Sequence, residues 1–246
     1  MFGLIGFPLG HSFSKEYFNN KFISEHISNV DFQNFELESL HNLYQLIKEN
    51  PQLGGFTVTI PYKEAILPLM NKVSKEVEEI QALNVVKISR QGEEIYLSGY
   101  NTDVYGFEKS LREQNQPHHR QALVLGRGGA AKAVAFVLER SGIDYLFVSR
   151  NPENKHTIAY KDLIKEIIDS HTMVINTTPL GMFPKVDSCP DIPYQYLSDK
   201  HFLFDLVYNP KQTVFLQKGM ERGAKICNGY DMLCYQADKA WEIWNE

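Results

Sequence analysis

The sequence predicts two α/β domains with a cleft between them, an N-terminal one of mixed build and a doubly wound one after it. Three observations carry this reading. Short apolar runs alternate with amphipathic stretches through both halves, a glycine-rich turn stands between a buried run and a helix near residue 126, and the last helix has no strand after it. At 246 residues the chain is long for one domain and ordinary for two. Hydrophobic residues at 43% and charged residues at 22% exclude collagen-like, disordered and coiled-coil classes.

The elements follow from periodicity and punctuation. Phe2–Gly6 reads as a strand closed by the loop Phe7–Ser12, and Ser14–His26 as a helix with Tyr17, Phe18, Phe22 and Ile23 on one face. Asp31–Leu37 alternates as a strand, and Ser39–Glu49 carries Leu40, Leu43, Tyr44 and Ile47 at helical spacing. Gly55–Ile60 is a β-branched run that stops at Pro61, a good helix starter. Val85–Ser89 and Glu94–Ser98 flank Arg90–Glu93 as a hairpin. Val104–Gln114 and the polar stretch Asn115–Arg120 read as the linker, with His118 and His119 solvated. Beyond it come strand Ala122–Leu125, helix Ala130–Ser141, strand Asp144–Val148, helix Ile158–Asp169, strands Thr172–Asn176 and His201–Leu206, and a helix from Thr213. This βαβ spacing implies a parallel sheet. The last helix, Asp231–Trp244, places Met232, Leu233, Gln236, Ala237, Ala240 and Trp244 on one side and is expected to return to the first half.

A net charge of −5 leaves no broad surface for a polyanion, so nucleic acid is not an expected partner, although a local site for one small anion is compatible with it. Cys189, Cys227 and Cys234 form no metal spacing, and an odd, sparse set fits reduced thiols in the cytoplasm. No apolar run approaches the ~18–20 residues of a membrane span. The apolar start, broken by glycines and a proline, reads as strand and loop rather than as a signal peptide.

Gly126-Arg127-Gly128-Gly129-Ala130-Ala131 meets the G-x-G-x-x-G/A spacing between a strand and a helix. A plain tight turn has the same composition, but the strand-turn-helix context favours a dinucleotide, whose pyrophosphate such a backbone can approach. At the next strand end, where an NAD site presents an acid, the chain reads Ser149-Arg150-Asn151. A cation there suits a 2′-phosphate; a solvated surface arginine is the bland alternative.

Four polar islands end strands in the first half: Ser12–Ser14, Thr57–Lys63, Asn84 and Asn101–Asp103. Singly they read as helix caps, turns and a solvated lysine. As a set they resemble the shikimate dehydrogenase family. Its G-x-P-x-x-H-S-x-S loop is matched by Gly6–Ser14. Its N-V-T-x-P-x-K resembles Thr57–Lys63 with Thr57 for the leading Asn, its A-x-N resembles Ala82–Asn84, and its G-x-N-T-D matches Gly99–Asp103. The turn G-x-G-G-A matches Gly126–Ala130, and I-N-x-T-x-x-G-M matches Ile175–Met182. D-x-x-Y is similar to Asp205–Tyr208, and N-G-x-x-M-L-x-x-Q to Asn228–Leu233 with Gln236. The chain departs from the family at Lys15 and Asp231, and Asn154 and Lys155 stand where a second NADP-binding arginine is usual.

The resemblance implies a substrate domain over residues 1–103, with helix 231–246 packing back on it, and an NADP-binding Rossmann domain over 104–230. It implies reversible NADPH-dependent reduction of 3-dehydroshikimate to shikimate, a step of aromatic amino-acid biosynthesis. Lys63 and Asp103 are then the catalytic residues, and the substrate is held by Ser12, Ser14, Thr59, Asn84, Asn101, Tyr208 and Gln236. The cofactor falls to Gly126, Arg127, Gly128, Gly129, Ala130, Ser149, Arg150, Asn176, Thr177 and Gly229. His11 is expected to fix loop geometry, and nothing resembles a metal site. The expected assembly is a monomer or homodimer, without a membrane partner. Two other functions fit the same motifs: an NAD-using quinate/shikimate dehydrogenase, and a non-catalytic metabolite sensor. Retention of both Lys63 and Asp103 argues against the sensor.

Overall fold

The computed structural model describes residues 1–9, 13–114, 118–152 and 154–246. These divide into two compact units, Met1–Tyr105 with Cys234–Glu246, and Gly106–Leu233.

In the first unit, strands β1 (Phe2–Gly6), β2 (Phe32–Glu36), β3 (Gly55–Val58), β4 (Lys72–Val73), β5 (Val85–Gln91) and β6 (Glu94–Tyr100) form one sheet of order β2-β1-β3-β5-β6-β4. β1 runs parallel to β2 and β3, and β5 runs antiparallel to β3 and β6. The hairpin β5–β6 turns at Gly92, whose φ of 61° is costly for residues with a Cβ. β3 is buried at every residue, as a central strand covered on both faces must be.

Helix α1 (Phe13–Ser24) buries Phe18 and Phe22, one turn apart, but leaves Ile23 75% exposed. Ile23 is one residue, about 100° of helix, off that stripe. Tyr44 in α2 (Leu43–Glu49) is likewise exposed beside buried Leu43 and Ile47. α3 (Tyr62–Ala65) is a single turn after Pro61, and α4 (Lys75–Ile80) is capped by Ser74, whose Oγ accepts from Val77 N. The sequence reading contained neither β4 nor α4; both are too short for a periodicity to show.

An aromatic cluster gathers Phe18, Phe22, Phe32 and Trp244. Trp244 stacks on Phe2 at 4.6 Å between ring centroids, and its Nε1 donates to Val86 O at 3.0 Å. A Cβ on Gly55 would stand 2.4 Å from that nitrogen. Trp244 belongs to α9 (Tyr230–Asn245).

The second unit is a wholly parallel sheet. β7 (Gln121–Leu125), β8 (Asp144–Ser149), β9 (Thr157–Ala159), β10 (Met173–Asn176), β11 (Phe202–Asp205) and β12 (Lys225–Asn228) lie in the order β12-β11-β10-β7-β8-β9. Numbered by appearance this is the 3-2-1-4-5-6 order of doubly wound nucleotide-binding sheets, reversing direction between β7 and β10. β10 and β11 are buried throughout, as apolar strands covered on both faces should be. The helices are α5 (Asp103–Gln114), which begins in the first unit, α6 (Gly129–Arg140), α7 (Lys165–Ser170) and α8 (Val214–Met220).

Two expectations are corrected here. Residues 158–169 are not one helix. Ile158 and Ala159 pair with Val148 and Ser149 as an edge strand, and a 3₁₀ turn, Tyr160–Asp162, separates them from α7. Sheet pairing there overrides a helical-looking apolar spacing. The division between the two units falls within α5, whose Val104, Phe107 and Leu111 are buried, and Phe107 meets Phe204 edge-on at 5.2 Å. His119, expected in solvent, is 3% exposed with Nδ1 bonded to Thr172 Oγ1 at 2.9 Å. Burial, with help from His118, His201 and Lys225, lowers its pKa to about 4. Among the described residues no helix is long and apolar enough to cross a membrane.

Candidate active site

In the first unit, topology brings three of the four polar islands to one end of the sheet. Thr59 and Lys63 follow the carboxyl end of β3, which lies parallel to β1 with Ile5 opposite Val58. β5 is antiparallel to β3, so Asn84 precedes it at that same end, and Val85 opposite Tyr100 puts Asn101–Asp103 there as well.

Lys63 Nζ donates to Asp103 Oδ2 at 2.5 Å, with side-chain exposures of 17% and 6%. The other carboxylate oxygen, Oδ1, accepts from Asn84 Nδ2 at 3.0 Å, so both are engaged. Asn84 Nδ2 also lies 3.0 Å from Thr102 Oγ1 and 2.8 Å from Gln236 Oε1. An amide has two hydrogens and here meets three acceptors, so one acceptor is left to receive a hydrogen bond from another donor. Asn84 Oδ1 in turn accepts from Thr102 N at 2.7 Å. Gln236 comes from α9, 152 residues along the chain from Asn84. Its Nε2 has no acceptor among the described residues.

Thr102 is 1% exposed and sits between Asn84 and Gln236. The sequence reading passed over it, although it stands inside the motif that supplied Asn101 and Asp103. Asn101 is occupied locally. Its Nδ2 donates to Ala82 O at 2.9 Å and its Oδ1 accepts from Val104 N at 3.3 Å, securing the start of α5. Thr59 is half-buried, with its N–H bonded to Ile5 O and its carbonyl to Tyr62 N. Ser14, also half-buried, lies in the first turn of α1. Ser12 and His11, and residues 115–117 of the expected linker, lie outside the described residues.

The second unit carries its candidate residues at the carboxyl ends of its parallel strands, the binding end of a doubly wound sheet. Gly126 follows β7 with φ +109°, and a Cβ there would stand 2.8 Å from Thr177 Oγ1; both conditions demand glycine. Thr177 donates through Oγ1 to Leu125 O at 2.6 Å, tying the end of β10 to the end of β7. Gly128 caps α6, is exposed, and has no atom within 4 Å of where a Cβ would be, so a phosphate can approach its backbone. Gly129 and Ala130 open the helix behind it.

Ser149 ends β8, and exposed Arg150 follows, its charge acting on Tyr160. Ser149 Oγ accepts from Asn151 N at 3.3 Å, curling the chain at this tip. Arg127 Nη1 donates to Asn151 O at 3.4 Å, from the turn after β7 to the loop after β8. Gly229, at the start of α9, would place a Cβ 2.2 Å from Leu206 O, so backbone packing demands it.

Asn176 is wholly buried, and its side chain is engaged by Asp205 Oδ1 (2.9 Å), Leu180 O and Thr178. It shapes the loop after β10. Its partner Asp205, given no role from sequence, also accepts from Thr213 Oγ1 at 2.5 Å and Val207 N at 3.0 Å. Burial pushes the Asp205 carboxyl up to about 6 against the opposing pull of these three bonds. Asp205 thereby joins the ends of β10 and β11 to the cap of α8. The D-x-x-Y motif contained the signal, but Tyr208 drew the attention. Tyr208 lies half-buried in the loop after β11, within the second unit. Among the described residues no group of His, Cys, Asp and Glu could hold a metal ion.

Comparison with known proteins agrees with this geometry. Residues 4–86 match the family described as the shikimate dehydrogenase substrate binding domain. A relative from Caldicellulosiruptor saccharolyticus named shikimate dehydrogenase (NADP(+)) is 37% identical over 98% of this chain and 90% of its own length. One of that name from Clostridium beijerinckii is 36% identical over 100% and 92%. Among solved structures, a chorismate mutase/shikimate 5-dehydrogenase fusion protein from Clostridium acetobutylicum superposes with a TM-score of 0.86 at 36% identity, covering 99% of this chain and 90% of that one. The Thermus thermophilus shikimate 5-dehydrogenase, solved with NADP(H) and shikimate, gives 0.83 at 29% identity over 99% and 92%. Full-length likeness at this level, with the motif residues gathered at the strand ends of both sheets, makes the chain a member of the shikimate dehydrogenase family.

Proposed function

We propose that this chain catalyses the reversible NADPH-dependent reduction of 3-dehydroshikimate to shikimate, with Lys63 and Asp103 as its catalytic residues. The observation that carries the reading is the Lys63–Asp103 pair, held from behind by Asn84 and flanked by Thr102 and Gln236. A sensor would need binding groups alone; an ammonium fixed by a buried carboxylate is what a proton transfer requires.

NADPH, when bound, supplies the hydride. The glycine turn suits its pyrophosphate, because Gly126 adopts a backbone that only glycine accepts readily and Gly128 leaves its face open. Gly126, Arg127, Gly128, Gly129 and Ala130 would hold the phosphates, Ser149 and Arg150 the adenosine end, and Thr177 and Gly229 the walls, with Asn176 fixing the loop beneath.

The remaining chemistry belongs to the chain. As the substrate carbonyl carbon gains its new C–H bond, charge builds on the carbonyl oxygen. Lys63 has three N–H groups and gives one to Asp103, so the others can meet that oxygen. It then yields a proton to the oxygen, leaving an alcohol and a neutral amine, and the reverse reaction returns the proton to Lys63. Asp103 holds the ammonium in place and is itself fixed through both oxygens. The surplus acceptor around Asn84 takes a ring hydroxyl, Gln236 Nε2 donates to another, and Thr59 and Asn101 complete the polar groups of this unit; the family motif assigns Tyr208 to the substrate as well. Ser12 and Ser14 bind the substrate carboxylate.

The test is a steady-state assay on the purified chain, following nicotinamide absorbance with shikimate or quinate and with NADP or NAD. Turnover of shikimate with NADP supports the reading. Binding of both ligands without turnover would favour the sensor, and faster turnover with quinate and NAD would favour the other dehydrogenase.

A further inference from the structure

Asp205 lies where the second half of the parallel sheet releases its loops. It ends β11 directly opposite Asn176, which ends β10, and both residues are wholly buried. One carboxylate oxygen, Oδ1, accepts from Asn176 Nδ2 at 2.9 Å, and the other, Oδ2, accepts from Thr213 Oγ1 at 2.5 Å. Both arms end on one short loop. Asn176 Oδ1 accepts from Thr178 N at 3.0 Å and from Thr178 Oγ1 at 2.6 Å, and its Nδ2 also donates to Leu180 O at 3.3 Å. Thr213 packs against the same loop, its Cβ 3.3 Å from where a Cβ on Gly181 would stand. With a carboxyl titrating near 6, Asp205 is ionised at neutral pH and can only accept, so it fixes which way the Asn176 amide points. Thr178 and the Leu180 carbonyl therefore turn inward to that amide, and the loop exposes Leu180 and Met182.

We infer that Asp205 is a positioning residue for the cofactor: through Asn176 and Thr213 it sets the loop 178–181 against the nicotinamide half of NADPH. This rests on the NADPH reading above and deepens it. A doubly wound sheet is two mononucleotide-binding halves, one on each side of the reversal in strand order between β7 and β10. The glycine turn after β7 and the tip of β8 belong to the half that takes the adenosine end, so β10 and β11 belong to the half that takes the nicotinamide end. A loop there must hold its backbone still for the ring to face the substrate, since a misplacement of about 1 Å can cost about 10²-fold in rate. Asp205 touches neither ligand in this role and acts wholly through the loop it holds.

The nicotinamide half is isolated by comparing NADPH, titrated through its nicotinamide fluorescence, with 2′,5′-ADP, which lacks that half and is titrated by calorimetry. Asp205→Ala should weaken NADPH by about 10-fold or more and leave 2′,5′-ADP within about twofold. Asp205→Asn keeps an Oδ1 for Asn176 and should bind NADPH within about threefold of the parent. Thr178→Val takes the loop's hydroxyl from Asn176 without touching the buried pair. It should weaken NADPH about 3–10-fold, and it carries the test if Asp205→Ala does not fold. Equal weakening of both ligands in Asp205→Ala would make Asp205 a support of the sheet as a whole and overturn the inference. Unchanged NADPH binding in Asp205→Ala or in Thr178→Val would overturn it while leaving the NADPH reading intact, as would an Asp205→Asn chain no better than Asp205→Ala. A parent that binds neither ligand would overturn both.

Discussion

Replacing Lys63 by methionine removes the ammonium while keeping the length and most of the volume of the side chain, so lost packing contributes little. If Lys63 stabilises the charge on the substrate oxygen and supplies its proton, Lys63→Met should lower kcat by about 10²–10⁴-fold, the usual range for a positioned general acid. That is about 2.7–5.5 kcal/mol of transition-state stabilisation, with KM for shikimate altered less than about threefold. The same change removes Asp103's cation and leaves its carboxylate bonded to Asn84. Breaking a fully buried pair costs ~3–5 kcal/mol and breaking an exposed one under ~1. With side-chain exposures of 17% and 6%, this pair lies between, at about 2–3 kcal/mol of folding stability. Steady-state kinetics and urea unfolding measure the two losses independently. A near-normal kcat with a raised KM would make Lys63 a ground-state ligand and refute the reasoning; unchanged stability would mean that the pair is not held as described.

Gln236→Ala removes an acceptor of Asn84 Nδ2 and a donor to the substrate, and should raise KM for shikimate about 3–10-fold with kcat within about threefold; the reverse split would move Gln236 out of ground-state binding. Ser14→Ala should raise that KM about 10-fold and leave NADPH affinity unaltered, which nucleotide titration checks directly. Arg150→Ala should cut the NADP-over-NAD preference in kcat/KM by about 10-fold or more; a variant as selective as its parent would contradict the assignment. Asp205 adds a pH dependence of defined sign. Its carboxyl titrates near 6 in the folded chain against 3.8 for the free group, so between those values the folded chain holds a proton that the unfolded chain has released. Its contribution to stability therefore falls as pH rises through about 4–6, by up to about 3 kcal/mol. Asp205→Asn abolishes this fall, so the variant should gain on the parent across that window in chemical unfolding; a pH-independent difference would show that the carboxyl is not shifted.

The sequence alone determined whatever depends on near neighbours along the chain. The run Ala122–Leu125, the glycine turn and the apolar stripe of α6 mark a strand-turn-helix unit, because each is a local period or a local backbone demand. The hairpin at Gly92 and a helix beginning at Thr213 were legible for the same reason. Motif residues such as Lys63 and Asp103 could be recognised as polar groups at strand ends, and only the family resemblance set them beside each other. The tertiary structure decided how they bond, since two antiparallel strands must bring Asn84 and Asp103 to the end where β3 releases Lys63. It also decided the short strands β4, β9 and β12, whose stability comes from a neighbouring strand and not from their own few residues. The burial of His119, the contact of Gln236 with a residue 152 positions away and the reach of Arg127 to Asn151 belong to the same class. Each depends on strand register and burial, which no local period encodes, because a buried polar group takes its partner from whatever the fold places beside it.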